Sequence, residues 1–308
     1  MKKAFTLIEL VIAITITAIL ASIGTEIIST IYQNYIQTRS ITKLEAQTEL
    51  AITQISKRLQ YRIKQTLVGY EKNVYKDDIT GCKDCGIAWY MQSYESRRLG
   101  EANKIGWSGV INKATIAGDK INLSLGYNDD KVQNLEKVKE IIKSITSSKE
   151  EVSETNPVAL IFKQSEDKAS ENYYNGNTNK VYKAYFSDNN IIIKIDKKNK
   201  NKDDKLEDLY YLSHTINRIY IDKKDNFDEV GGDLILETNF LPWDETKKIS
   251  KKIAQNVTTL RFTNFASENN FVGSNGLILK ICIKDPNLKV GKKDNDPHLE
   301  VCKVKAII

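Results

Sequence analysis

Proline and histidine are almost missing from this chain, at 4 and 2 of 308 residues. None of the prolines falls in residues 5–67, so nothing there forces a helix to break. The two histidines, His214 and His298, are too few for most catalytic triads, and neither stands in a nucleophile or metal motif. No glycine-rich phosphate loop occurs, which removes nucleotide-driven chemistry from the readings. Charge of one sign is also lacking. The 46 basic residues face 40 acidic ones, a formal net charge of +6 without a tight basic stripe, so the composition does not favour a nucleic-acid partner. The 28% charged and 41% hydrophobic content is that of a globular chain, and no repeat or Pro/Ser-rich linker demands a second domain.

One long hydrophobic run is present. After Lys2 and Lys3, residues 5–24 read "FTLIELVIAITITAILASIG". A helix of that length spans roughly 30 Å, the thickness of a bilayer's hydrocarbon core. The two lysines keep the short end in the cytoplasm and send the remainder across. A cleaved secretory signal ending near Ser22-Ile23-Gly24, or a plain anchor, would also explain the run. Neither explains Glu9, a carboxylate inside it, which costs up to about 3 kcal/mol on insertion scales. Cleavage between Ala4 and Phe5 would put a new α-amino group on Phe5, one helical turn from Glu9. Amine and carboxylate could then pair within a chain, or between staggered helices, and set the register of a helical stack.

"KKAFTLIEL" resembles the signal of the type IV pilin family, which includes the pseudopilins of type II secretion. The resemblance implies cleavage after Ala4 by a prepilin peptidase, N-methylation of Phe5 and an assembly role for Glu9. Ala4 stands where the family usually has Gly. The stretches "DLYYLSHTINRIYID", "AQNVTTLRFTNF" and "GLILKICIKD" are similar to the J-type minor pseudopilins and W-type minor pilins. Residues 70–200 carry no such likeness.

Beyond the run, Ile41, Leu44, Thr48, Ile52, Ile55, Leu59 and Ile63 recur at steps of three or four, an apolar stripe suited to packing on a head. The simplest reading is one helix through residues 5–67, with Gly24 as a hinge or a close packing site. Strands are expected at "KINLSLGY", "NPVALIFK", "VYKAYFS", "NNIIIKID", "DLYYLSH", "TINRIYID", "GGDLILET", "VTTLRFTNF", "GLILKICIKD" and "HLEVCKVKA". Short connections favour antiparallel pairing. Val132, Leu135, Val138, Ile141, Ile142 and Ile145 predict a second amphipathic helix. The charged run at residues 196–205 reads as an exposed loop, and residues 70–106 fit no regular element.

Cys82, Cys85, Cys282 and Cys302 allow three disulfide connectivities in an oxidising compartment. Cys282 and Cys302 lie on consecutive predicted strands, which favours a bond there and leaves Cys82 to Cys85. A zinc site built from these cysteines and the histidines, or redox chemistry at the C-x-x-C, are the weaker alternatives. Acidic turns at residues 127–130 and 294–297 lack EF-hand spacing and read as solvated. No cofactor and no metal is expected.

The expected protein is α+β and pilin-like: leader 1–4, transmembrane half-helix 5–24, amphipathic half-helix 25–67 and an exported β-rich head 68–308. It would be a non-catalytic minor pilin or pseudopilin, single-pass in a bacterial inner membrane with its head in the periplasm. There it would prime or cap a short filament for type II secretion, pilus assembly or DNA uptake. Its partners would be the prepilin peptidase, other minor and major pilins or pseudopilins, and the inner-membrane assembly platform. The rival expectation is an exported enzyme or binding protein on an uncleaved anchor.

Overall fold

The computed structural model describes residues 6–79, 85–98, 104–124, 133–146, 150–163, 168–174, 180–194, 207–223, 225–265, 276–291 and 296–308. Ala4, Phe5, Cys82, Val132, the acidic turn 127–130, the charged run 196–205 and half of the turn 294–297 lie outside the described residues.

Helix α1 runs unbroken over Leu7–Gln60. Gly24 interrupts nothing, and beyond its chain neighbours and the backbone of its own helix no atom lies within 4 Å of where its side chain would be. The helix ends at Gln60 rather than continuing to Leu67, because the sheet captures the backbone that follows. Gln92 N–H donates to Tyr61 O at 2.8 Å, and Ile63 N–H donates to Tyr90 O at 2.9 Å. Backbone pairing of this kind overrides the apolar spacing that predicted more helix.

The strands are β1 (Val68–Glu71), β2 (Val74–Lys76), β3 (Gly86–Gln92), β4 (Lys113–Ala117), β5 (Lys120–Ser124), β6 (Val158–Phe162), β7 (Tyr182–Ser187), β8 (Asn190–Lys194), β9 (Tyr210–Asp222), β10 (Gly232–Phe240), β11 (Ile249–Phe265), β12 (Gly276–Lys289) and β13 (His298–Ile307). Between them lie the short helices α2 (Tyr94–Arg98), α3 (Leu135–Ile145), α4 (Ala169–Tyr173) and α5 (Phe227–Val230). Every strand pairing is antiparallel. The main path of the sheet is β13-β12-β11-β10-β9-β6-β7-β8-β5-β4, with β3 and then β1 and β2 branching from β9.

Residues 70–106, which fit no element in the sequence, contain β2, β3 and α2 and the end of β1. The stretch "GIAWY" that opens β3 is buried throughout, so it carries no two-residue alternation to read. "DLYYLSH" and "TINRIYID" form one strand, β9, rather than two. Met91 and Gln92 of β3 pair with Thr215 and Ser213, so His214 is an extra residue bulged into a strand that continues past it.

The branching at β9 follows from the register. Ser213 pairs with Gln92 of β3 and with Ala159 of β6, which places those strands on opposite edges. Arg218 and Ile219 pair with both β3 and β10 in the same way. Strands β6 and β10 therefore share one edge of β9, end to end.

Three cores result. In the first, Leu44, Ile52, Ile55 and Leu59 of α1 pack on Ile219, Leu236, Leu260, Leu279 and Ile281. Each such aliphatic side chain contributes about 1.5–3 kcal/mol by leaving water. In the second, Leu135, Val138 and Ile142 of α3 cover β5 to β9; the Asn134 side chain caps that helix by accepting from Lys137 N–H at 3.0 Å. The third gathers Tyr90, Tyr173, Tyr174, Ile161 and Ile216.

Beside this third core lies a buried ion pair. Arg218 Nε donates to Glu237 Oε2 at 2.6 Å, and Arg218 Nη1 donates to the Tyr75 hydroxyl at 2.8 Å. The guanidinium lies over the Tyr70 and Phe240 rings, 4.5 and 5.0 Å from their centroids. Burial pushes the Glu237 carboxyl up, but the bond and charge of Arg218 outweigh it and hold the group below its ordinary value. Arg218→Met should lower unfolding stability toward the lower end of the ~3–5 kcal/mol typical of a broken buried pair, since Lys248 remains 3.5 Å from Glu237. Adding Glu237→Leu should recover part of that loss. Urea denaturation of the detergent-solubilised chain measures both.

Candidate functional site

The part of α1 that leaves the head is the first candidate. Leu7, Ile8, Leu10, Val11, Ile12, Ile14, Ile16, Ile19, Leu20 and Ile23 are all exposed on the isolated chain. Among the described residues this is the one helix long and apolar enough to cross a membrane. Threonine hydroxyls along it donate to the helix's own carbonyls, as lipid favours. Thr17 donates to Ala13 O at 2.7 Å, Thr25 to Ala21 O at 2.7 Å, and Thr15 to Val11 O.

Glu9 has a local role absent from the sequence reading. Thr6 is the N-cap of α1: its hydroxyl accepts from Glu9 N–H at 3.4 Å, while Glu9 Oε2 accepts from Thr6 N–H at 3.0 Å and from the Thr6 hydroxyl at 2.7 Å. This is a capping box, which satisfies donors that the first helical turn leaves free. Its signal, Thr6-Leu7-Ile8-Glu9, is visible in the sequence. Ala4 and Phe5, the expected cleavage and methylation positions, lie outside the described residues.

Further along, the helix is seated on the last three strands. Ser40 Oγ donates to Asp285 Oδ2 at 2.5 Å, the first tie between helix and head. Lys303 Nζ of β13 donates to Glu49 Oε2 at 2.7 Å and, mainly through that bond, holds the Glu49 carboxyl below its ordinary value. Leu44 and Thr48 between these ties, and Ala51, Ile52, Ile55 and Leu59 beyond them, form the buried stripe that faces the sheet.

The hairpin that carries this seat is stapled. Cys282 of β12 and Cys302 of β13 are directly opposed in register and joined by a disulfide, with Cα atoms 4.0 Å apart. Their neighbours Ile281 and Ile283 enter the core under α1, so the disulfide lies on the opposite face of the sheet. Glu300 lies close to both sulfurs, but these are bonded to each other and offer no thiolate to a metal. Cys85 is disulfide-bonded, and Cys82 lies outside the described residues. The two histidines stand apart from the cysteine pair: His214 meets Ser93, and His298 sits at the start of β13.

A long N-terminal helix, half free and apolar and half packed on an antiparallel sheet, is the architecture of a type IV pilin-like protein. Residues 1–25 match the prokaryotic N-terminal methylation motif, which is typical of such proteins. Comparison with curated proteins and with solved structures returns no match.

Replacing Cys282 and Cys302 together by Ser should destabilise the head by about 3 kcal/mol, the loop-closure value for a bridge of this span. Thermal unfolding with and without reductant measures it, and a non-reducing peptide map identifies the bond. Equal melting temperatures would show that the β12–β13 pairing alone holds the seat of α1.

Proposed function

We propose that this chain is a minor subunit of a type IV pilus-like filament, held in a bacterial inner membrane with its head in the periplasm. It works by position rather than by catalysis, priming or capping a short filament that serves protein secretion, pilus assembly or DNA uptake. After cleavage between Ala4 and Phe5, the mature helix joins those of other pilins or pseudopilins on the assembly platform.

The observation that carries this reading is an apolar stripe on the wrong side of the helix for the head. At 100° per residue, the head-facing line through Leu44 and Ser40 continues toward the N-terminus as Gln37, Gln33, Thr30 and Glu26, all polar. The opposite side carries Ile28, Ile31, Tyr32 and Tyr35, with Ile27 and Ile36 on its flanks, all exposed. This stripe continues the apolar run beyond residue 24, and the chain's own head faces away from it. A neighbouring helix with a similar stripe would bury it, each large side chain contributing up to about 1.5–3 kcal/mol. Glu9, at the far end of the same helix, would set the axial register by meeting the Phe5 amine of an adjacent subunit.

Single cysteines at Ile31 and Tyr35 should therefore cross-link in membranes to partner pilins, while one at Gln33 should not. Equal cross-linking from all three positions would overturn the stripe as the contact.

Glu9→Val should leave leader removal intact and lower the recovery of partner subunits. Mature N-terminal sequencing should find N-methylated Phe5. A soluble head released by cleavage after Gly24 would instead identify an exported protein with an ordinary signal.

A further inference from the structure

The shared edge of β9 is not filled. Pairing with β6 stops at Ser213 and pairing with β10 stops at Ile216, so His214 and Thr215 have no strand partner on that edge. The register of β10 also slips between Glu237 and Phe240, where Asn239 adopts a left-handed φ of 63°. Its N–H donates to Thr215 Oγ1 at 2.7 Å, which fixes the slip beside the gap. Bulges on two adjacent strands thus turn the chain away from the gap and leave a cleft of about 690 Å³, lined by His214, Val158, Phe240, Trp243 and Lys183 among others. That volume is in the range of small-ligand sites.

The polar groups of the cleft are unequally occupied. Lys247 is held by Glu150 and Asp244 at 3.5 and 3.4 Å and donates to Asn156 Oδ1 at 3.1 Å. Lys194 is paired with Glu154 at 2.6 Å. Lys183 differs: its ammonium lies 5.4 Å from the centroid of the Trp243 ring, with no described carboxylate at ion-pair distance. His214 Nδ1 meets Ser93 Oγ at 3.1 Å, and no described residue bonds Nε2. Burial pushes the His214 imidazole down to about 4, so near neutral pH it offers a hydrogen bond without a charge.

Ligand shape follows from the length of the gap. Two unpaired residues between paired neighbours leave roughly 10 Å along β9, too short for a strand to lie alongside and wide enough for one chain end or one ring. We propose that the cleft binds a carboxylate carried on a short apolar body, which enters end-on. The carboxylate meets Lys183 and His214, and the body packs between Val158, Phe240 and Trp243. A peptide C-terminus and a free apolar acid share this chemistry. The inference is independent of whether the chain joins a filament.

The test uses the full chain in detergent micelles and two probe pairs: an N-acetylated tripeptide ending in phenylalanine and its C-terminal amide, and 3-phenylpropionate and its amide. The chain has two histidines, so ring-proton resonances report His214 with His298 as an internal control. Trp89 and Trp107 are fully buried, so ligand-induced changes in emission report Trp243. The acids should shift the His214 resonance and leave His298 unmoved, with each amide at least about tenfold weaker for want of a charge-assisted contact. Lys183→Met, at an exposed position, should bring acid and amide to equal affinity. A tripeptide that binds more tightly than phenylpropionate identifies a peptide end as the source, and equal affinities identify a free acid. Acid and amide binding alike to the unaltered chain, an acid preference that survives Lys183→Met, or no saturable His214 shift up to about 10 mM would each overturn the proposal.

Discussion

Strand β9 is the constraint on which the head depends. It is 13 residues long, more than twice an ordinary strand, and three strands pair with its two edges. One edge takes β3, which ties the sheet to the end of α1. The other is divided between β10, which leads to the strands under α1, and β6, which leads to the α3-covered strands. The buried aliphatic residues Ile219 and Ile221 serve the first core, Tyr210 and Leu212 the second, and Ile216 the third. A strand with such duties cannot be straight throughout, and the bulge at His214 is where it changes partners. The division of one edge between two strands also leaves the cleft, so the cleft is a by-product of the same geometry.

Helix and head are fastened by few kinds of contact, each simple. An apolar stripe supplies most of the free energy, and Ser40 to Asp285 and Glu49 to Lys303 fix where along the helix the head sits. The exposed ion pair adds little free energy by itself, since such pairs contribute about 0–1 kcal/mol. Its use is directional: it holds β13 alongside one face of α1, while the Cys282–Cys302 bond braces the hairpin from the other side of the sheet.

What was legible in the sequence was what repeats. The stripe from Leu44 to Leu59 and the alternating strands such as "GLILKICIKD" carry a period, and period is what one-dimensional reading detects. Strand β3 is buried from Gly86 to Tyr90 without alternation, and β4 is exposed throughout with Ile116 as its one large apolar residue, so neither gave such a signal. Ile63 continues the helical spacing, yet residues 61–63 pair with β3, because a backbone partner distant in sequence outweighs local preference. Glu9 was legible as an anomaly, and its cap with Thr6 was written in four consecutive residues. The cleft had no signature at all: His214, Lys183 and Trp243 come together only because two registers slip on neighbouring strands.

Continuity of α1 also has a mechanical consequence. From Leu7 to Ser40 the helix stands free of the head for about 50 Å, and it then enters the first core without a break. No swivel separates the two halves, so the head is rigidly keyed to the axis of the rod below it. Twist applied at the base arrives at the head as rotation, undiminished by a joint. A tilt of about 20°, ordinary for a helix crossing a bilayer, sweeps the upper end of such a rod sideways by roughly 17 Å. A small change of angle at the base of the rod thus becomes a displacement comparable with the width of several strands at the head.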